Sequence, residues 1–224
     1  MHEIGFREVV HIAGLTFNLE TLYMTWITMA IIIFVAVLAT RNLKLVPKGW
    51  QNMLELIITA LLEQIDMAMG PRGRKIAPLL ITLFLFILIS NWLGLVPGFV
   101  SPTNDPNTTL GLALMVVMLL HILGLVFKGK HYIKHFFEPF APFVIINMLE
   151  EVAKPITLAF RLFGNIIAGE ILIIILAQLL PMWFPIPNII WLGFSVFVGV
   201  IQAFIFTMLS MAYLANGVKE DQHD

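Results

Sequence analysis

Runs of apolar residues without charge mark out the chain, because a helix needs about 20 of them to cross a bilayer. Thr21–Thr40 is the first run, closed by Glu20 and Arg41. Ile76–Asn104 is the second, and its helical part should stop near Val96, where Pro97-Gly98 follows. Pro106–Phe127 is the third, entered through the turn-forming stretch from Ser101 to Asn107. Ile171–Val218 carries no formal charge, is too long for one span, and is divided by Pro181, Pro185 and Pro187. Joined to the stretch from Pro155, it predicts two long helices, over 155–180 and 188–216. Gln51–Met69 differs: Leu54, Ile57, Ile58, Leu61, Leu62 and Ile65 share one helical stripe, while Glu55, Glu63 and Asp66 interrupt the remaining surface. That pattern predicts an amphipathic helix on the membrane face or packed across the bundle. Phe136–Leu149 is apolar but broken by Pro139 and Pro142, which suits re-entrant or interfacial structure.

The fold class that follows is an all-α polytopic membrane protein of about five hydrophobic helical segments. It is read as a single membrane domain over 1–224, with a tail over 1–20, spans over 21–40, 76–96 and 108–127, and an interfacial helix over 51–69. The acidic tail lacks the basic flank and small-residue cleavage site of a signal peptide. Arg41, Lys44, Lys48, Arg72, Arg74 and Lys75 lie between the first two spans, and Lys128, Lys130 and Lys134 follow the third. The loops near 97–109 and 181–188 hold no Lys or Arg. The excess of Lys and Arg in cytoplasmic loops then predicts an N-terminus outside and a C-terminus in the cytoplasm.

Composition agrees with lipid as the solvent. Hydrophobic residues make up 59% and charged residues 12%, against about 45–50% and about 25% in soluble domains. Mean hydropathy is +0.93. Lys and Arg total 13 against 14 Asp and Glu, a formal charge of −1, which disfavours nucleic acid as a partner. No cysteine is present, which excludes disulfides and thiolate-held metals.

The chemistry concentrates in Glu150-Glu151-Val-Ala-Lys154-Pro-Ile-Thr157-Leu-Ala-Phe-Arg161-Leu-Phe-Gly-Asn165-Ile-Ile-Ala-Gly-Glu170. A charge at bilayer depth costs about 2.5–3.5 kcal/mol on insertion scales, and an arginine cannot escape by losing its proton. Arg161 must therefore face water, a carboxylate, or both. Snorkelling to a headgroup is the alternative, but uncharged residues flank Arg161 on both sides. Asn165 shares its face; Glu170 lies half a turn round and about 13 Å along the axis, too far for an ion pair within one helix. The anionic partner is then expected on another helix or another chain, and Glu170 is expected to handle protons in a separate aqueous pocket. A solvated helix start and a proton pathway account equally well for Glu150 and Glu151.

Ser195 and Gln202 share a face of the last helix, followed by Thr207, Ser210, Tyr213 and Asn216. Such groups mark helix contacts or a water-lined path, and Gln202 alone reads as interhelical glue. His121 has no acid near it in sequence and reads as satisfied or interfacial. His131 and His135 sit one helical turn apart without a third ligand, so no metal site is assigned. No phosphate loop, nucleophile elbow or zinc-binding helix motif occurs, so no cofactor and no nucleotide site are expected in this chain.

Taken together, Ile156-Thr-Leu-Ala-Phe-Arg161-Leu-Phe-Gly-Asn165-Ile-Ile-Ala-Gly-Glu170 resembles the most diagnostic segment of the subunit a family of bacterial F-type ATP synthases. Ile201-Gln202-Ala-Phe-Ile-Phe-Thr-Met-Leu-Ser-Met-Ala-Tyr213-Leu is similar to that family's closing helix. Ser90-Asn91-Trp-Leu-Gly-Leu-Val-Pro-Gly98 and Thr40-Arg-Asn-Leu-Lys-Leu-Val-Pro47 resemble its mid-chain motif and the stretch after its first span. The resemblance runs along essentially the whole chain.

The resemblance implies a proton-channel subunit of a rotary ATP synthase in the bacterial plasma membrane. Its two long C-terminal helices would lie strongly tilted against the c-subunit ring, with b subunits of the peripheral stalk as further partners. Arg161 would be the essential charge facing a ring carboxylate. Asn165, Glu170, Ser195 and Gln202 would belong to the outer half-channel, and Glu150, Glu151 and Thr157 to the cytoplasmic one. Some members have a histidine where Ser195 stands here, and serine cannot titrate near neutral pH. The alternatives are a secondary transporter binding an anionic substrate at Arg161, or a membrane scaffold. The first expects a repeat of two broken-helix halves, which the sequence lacks; the second gives no reason for Arg161 and Glu170 within a helix.

Overall fold

The computed structural model describes residues 9–12, 15–41, 43–96, 98–129, 132, 143–179 and 186–218. Val9–Ile12 (β1) and Leu15–Asn18 (β2) pair antiparallel, with Val9 opposite Asn18. The expected plain tail thus contains a hairpin, and the cause is local: β-branched Val9, Val10, Ile12 and Thr16 lie on either side of Gly14 in the sequence. Every other regular element among the described residues is helical. They are α1 (Leu19–Thr40), α2 (Trp50–Met69), α3 (Ala77–Leu93), α4 (Pro106–Lys128), α5 (Phe143–Leu179) and α6 (Ile186–Val218). Short 3-10 turns at Gly70–Lys75 and Pro102–Asn104 precede α3 and α4.

α1, α4 and residues Ile189–Val218 of α6 are each long and apolar enough to cross a bilayer. α2 with the 3-10 turn after it meets α3 at a bend of 116°, and α2 itself ends at Gly70, whose φ of 63° suits a residue without Cβ. Arg74 closes this corner on Asp66 at 2.8 Å, and that hydrogen bond holds the Asp66 carboxyl below its ordinary range. Leu54, Leu61 and Ile65 of the α2 stripe are buried, whereas Leu56 and Met67 are exposed. Gln51 secures the segment before α2: its Nε2 donates to the Lys44 carbonyl at 3.0 Å, and its Oε1 accepts from the Lys44 amide at 3.1 Å.

α4 begins on Asp105-Pro106. The Asp105 carboxylate accepts from the Asn107 amide at 2.9 Å and from Asn18 Nδ2 at 2.8 Å, so one side chain caps α4 and ties down the end of β2. α4 packs against α5 and α6, and α3 against α6. Their shared core includes Leu80, Ile87, Val116, Leu158, Leu162 and Phe206.

One boundary departs from the sequence pattern. The helix expected from residue 155 already begins at Phe143, and Pro155 lies inside it. Residues 143–149, expected as re-entrant or interfacial, are its first turns; residues 136–142 lie outside the described set. A proline withholds only one intrahelical bond, here to the Glu151 carbonyl, and such a loss is tolerated in membrane helices. Lys154 bridges that point to Glu151 and Glu150, one turn back.

Candidate functional site

Arg161 occupies the middle of an exposed stripe on α5. Ile156, Thr157, Phe160, Arg161, Gly164, Ala168, Ile171 and Ile175 are all exposed, while Leu158, Ala159 and Leu162 on the opposite side are buried in the core. Between Ile156 and Ile175, among the described side chains, the helix therefore divides into a packed side and an open side that is apolar apart from Arg161 and Thr157. Among the described residues, Arg161 makes no ion pair or hydrogen bond. A Cβ added at Gly164, one turn on, would meet nothing within 4 Å, so the stripe stays low beside the guanidinium.

On one side of Arg161 along the helix, α3, α5 and α6 enclose a cavity of about 450 Å³ lined by Asn91, Ser101, Asn165, Trp191 and Ser195 among apolar groups. Asn165 and Ser195, far apart in sequence, meet here. Gln202 lies one turn beyond Gly199, a wall residue; it is 5% exposed and its Nε2 is buried without a hydrogen-bond partner. The Trp191 indole N–H is likewise buried and unpartnered. Glu170 belongs to α5, and its side chain lies outside the described residues.

The cavity's inner wall is fixed by polar contacts the sequence reading did not assign. Asn91 Nδ2 donates to the Gly199 carbonyl at 3.2 Å, and Thr103 Oγ1 donates to Asn91 Oδ1 at 3.1 Å. Ser101 Oγ donates to the Ser90 carbonyl at 2.9 Å, and Trp92 Nε1 donates to the Val196 carbonyl at 3.2 Å. Gly199 allows this close approach: a Cβ there would come within 3.3 Å of the Asn91 Cβ, a tight contact. Farther along α6, Thr207 and Ser210 are buried but donate to Ala203 and Phe206 of their own helix at 2.8 Å each. Their polarity is spent locally.

A second polar group lies on the other side of Arg161, where α4, α5 and α6 meet. Lys154 Nζ is 2.6 Å from Glu151 Oε1 and 3.5 Å from Glu150 Oε1, and 6.0 Å from the centroid of the Tyr213 ring. Glu151 Oε2 is buried with no hydrogen bond and lies 3.9 Å from His121 Nε2. Tyr132 Oη is 3.4 Å from His121 Nδ1. Burial, and then the nearby Glu151, push the Tyr132 phenol up to about 12. His121 thus has an acidic neighbour, which comes from α5 and is invisible in its own sequence neighbourhood. The Glu151–Lys154 pair was legible as an i,i+3 spacing, although Lys154 carried no role in the sequence reading. Thr157 stands on the exposed stripe, apart from this group; His131 and His135 lie outside the described residues.

Along α5, Asn165 is about 6 Å from Arg161 and Glu151 about 15 Å the other way, at 1.5 Å per residue. The arrangement is two separate polar regions with one exposed cation between their levels.

Comparison with known proteins gives a concordant picture. A family model described as "ATP synthase A chain" matches residues 22–215. The chain is 46% identical over 215 residues to "ATP synthase subunit a" of Desulforamulus reducens, covering 92% of this chain and 82% of that protein. It is 44% identical over 224 residues to the protein so named in Anoxybacillus flavithermus (93% and 95% covered). With its namesake in Priestia megaterium, identity is 41% over 228 residues (95% and 97%).

Proposed function

Because this chain belongs to the ATP synthase A chain family, and so is a multi-pass membrane protein with the proton-channel role in an F-type ATP synthase, we propose that Arg161 is the charge separating its two half-channels. The cavity at Asn165 and Ser195, with Gln202 deeper and Glu170 on the same helix, is the outer half-channel. The region around Glu150 and Glu151 is the cytoplasmic one, and Thr157 lies between it and Arg161. The exposed stripe of α5 faces a ring of c subunits in the bacterial plasma membrane, with b subunits as further neighbours. The N-terminus lies outside and the C-terminus in the cytoplasm, as the Lys and Arg distribution supports.

The carrying observation is an arginine on an exposed apolar face, without an acid of its own among the described residues. A permanent cation in a lipid-facing position needs an anion from elsewhere, and a carboxylate on a passing neighbour supplies one. A proton from the outer half-channel neutralises that carboxylate, which can then move into lipid; the ionised form cannot, because desolvating a charge costs several kcal/mol. The guanidinium, always protonated, receives the ionised carboxylate and repels protons that would otherwise leak between the half-channels. The membrane potential contributes about 2.3 kcal/mol per charge per 100 mV.

Arg161→Ala is expected to abolish ATP-driven proton pumping in inverted vesicles while the complex still assembles. Pumping at the parental rate would refute the assignment. The transporter alternative lacks support, since the chain matches the ATP synthase family along nearly its whole length.

A further inference from the structure

We infer that His121, rather than Glu151, is the group that takes up and releases protons in the cytoplasmic half-channel, with Glu151 as its counter-charge and Tyr132 as the hydroxyl that sets its tautomer. This rests on the reading of that region as a proton path. Glu151 is poorly placed to carry protons itself, because one of its oxygens is paired with Lys154 at 2.6 Å and the Lys154 side chain is only 12% exposed. Protonating the carboxylate on each passage would leave a largely buried ammonium with only the more distant, mostly exposed Glu150 at 3.5 Å, and weakening a buried ion pair from one side is unfavourable.

The other oxygen of Glu151 is the informative one. Oε2 is buried, makes no hydrogen bond, and has His121 Nε2 at 3.9 Å. That is just beyond hydrogen-bond reach, so a small closure in the protonated state would satisfy both groups. The imidazole is 40% exposed, and histidine is the side chain suited to change charge near neutral pH. On its far side Nδ1 has the Tyr132 hydroxyl at 3.4 Å, and a phenol pushed up to about 12 keeps its proton over the working range. While Tyr132 donates to Nδ1, the neutral ring carries its proton on Nε2, toward Glu151. The incoming proton forms the Nδ1–H bond as an O–H bond of the delivering hydronium ion breaks and leaves water, and the phenol turns from donor to acceptor. Release to cytoplasmic water reverses these changes. Among the described residues, Glu151 of α5 and Tyr132 approach the imidazole; Lys154 and Glu150 lie beyond Glu151, Tyr213 of α6 lies beyond Lys154, and Lys128 ends the histidine's own helix.

The test uses inverted vesicles carrying the whole complex, with ATP-driven pumping measured between about pH 5.5 and 9 and the amount of assembled complex measured in parallel. His121→Gln is expected to lower pumping at neutral pH about tenfold or more, in the range of a lost general acid–base group, and to flatten its pH profile. Tyr132→Phe keeps the ring, which sits where a Gly124 Cβ would come within 2.5 Å of it. It is expected to displace the midpoint of the profile, an effect that mere packing loss would not produce. A parental profile in His121→Gln with Glu151→Gln inactive would overturn the inference and leave the half-channel standing with Glu151 as its carrier. Parental profiles in both would remove this region from the proton path altogether, and the inference with it.

Discussion

Side chains as similar in type as Glu150 and Glu151 have different surroundings: Glu150 is 68% exposed, while Glu151 is 19% exposed and paired with Lys154. Position within the bundle, not residue type, separates them. The same logic governs Tyr132, whose phenol is raised from an ordinary value of about 10 to about 12 by burial and by Glu151. A raised value means the folded state holds this proton more tightly than the unfolded state. The resulting stability is complete below about pH 10 and is lost as pH climbs from about 10 toward 12. Ultraviolet difference spectra of tyrosinate should therefore show that Tyr132→Phe removes the late, alkaline part of the titration. Removal of an ordinary component near pH 10 would contradict the buried setting.

At the scale of elements, the contact between α3 and α6 depends on Asn91, which joins the Gly199 carbonyl to Thr103. Asn91→Ala leaves a buried carbonyl and a buried hydroxyl short of partners, a loss of about 1–3 kcal/mol each at most. The detergent-solubilised complex should lose this chain at a temperature several degrees lower, and unchanged retention would show that water replaces the amide. Much of this architecture was legible beforehand. Uncharged runs located α1, α3, α4 and α6, and the Leu54–Ile65 stripe identified the buried side of α2. Pro155 misled because proline so often opens a helix, while the signal for continuation upstream was the charge pairing of Lys154. The Asn91–Thr103 and His121–Glu151 contacts link different helices, so no periodicity within one segment could reveal them. Asn165 and Ser195 were legible as polar interruptions of apolar helices, but that they share a cavity was not.

For the whole molecule, lipid or another subunit must cover what the chain itself leaves bare, including Phe160, Ile171 and Ile175 beside Arg161. Gly164→Leu distinguishes these environments. Leucine is the better helix former by nearly 1 kcal/mol, and among the described residues nothing lies within 4 Å of its Cβ, so the subunit should accumulate normally in the membrane. If the stripe faces the ring, ATP-driven pumping should nonetheless fall severalfold; an undiminished rate would mean that this face meets only lipid. The missing side chain at Gly164 has a mechanical meaning as well. Interlocked ridges hold packed helices at a preferred angle; if a ring of subunits turns against this face, a track with its teeth filed down next to the arginine gives it nothing to catch on. Low friction there would then let electrostatic attraction decide where such a ring pauses.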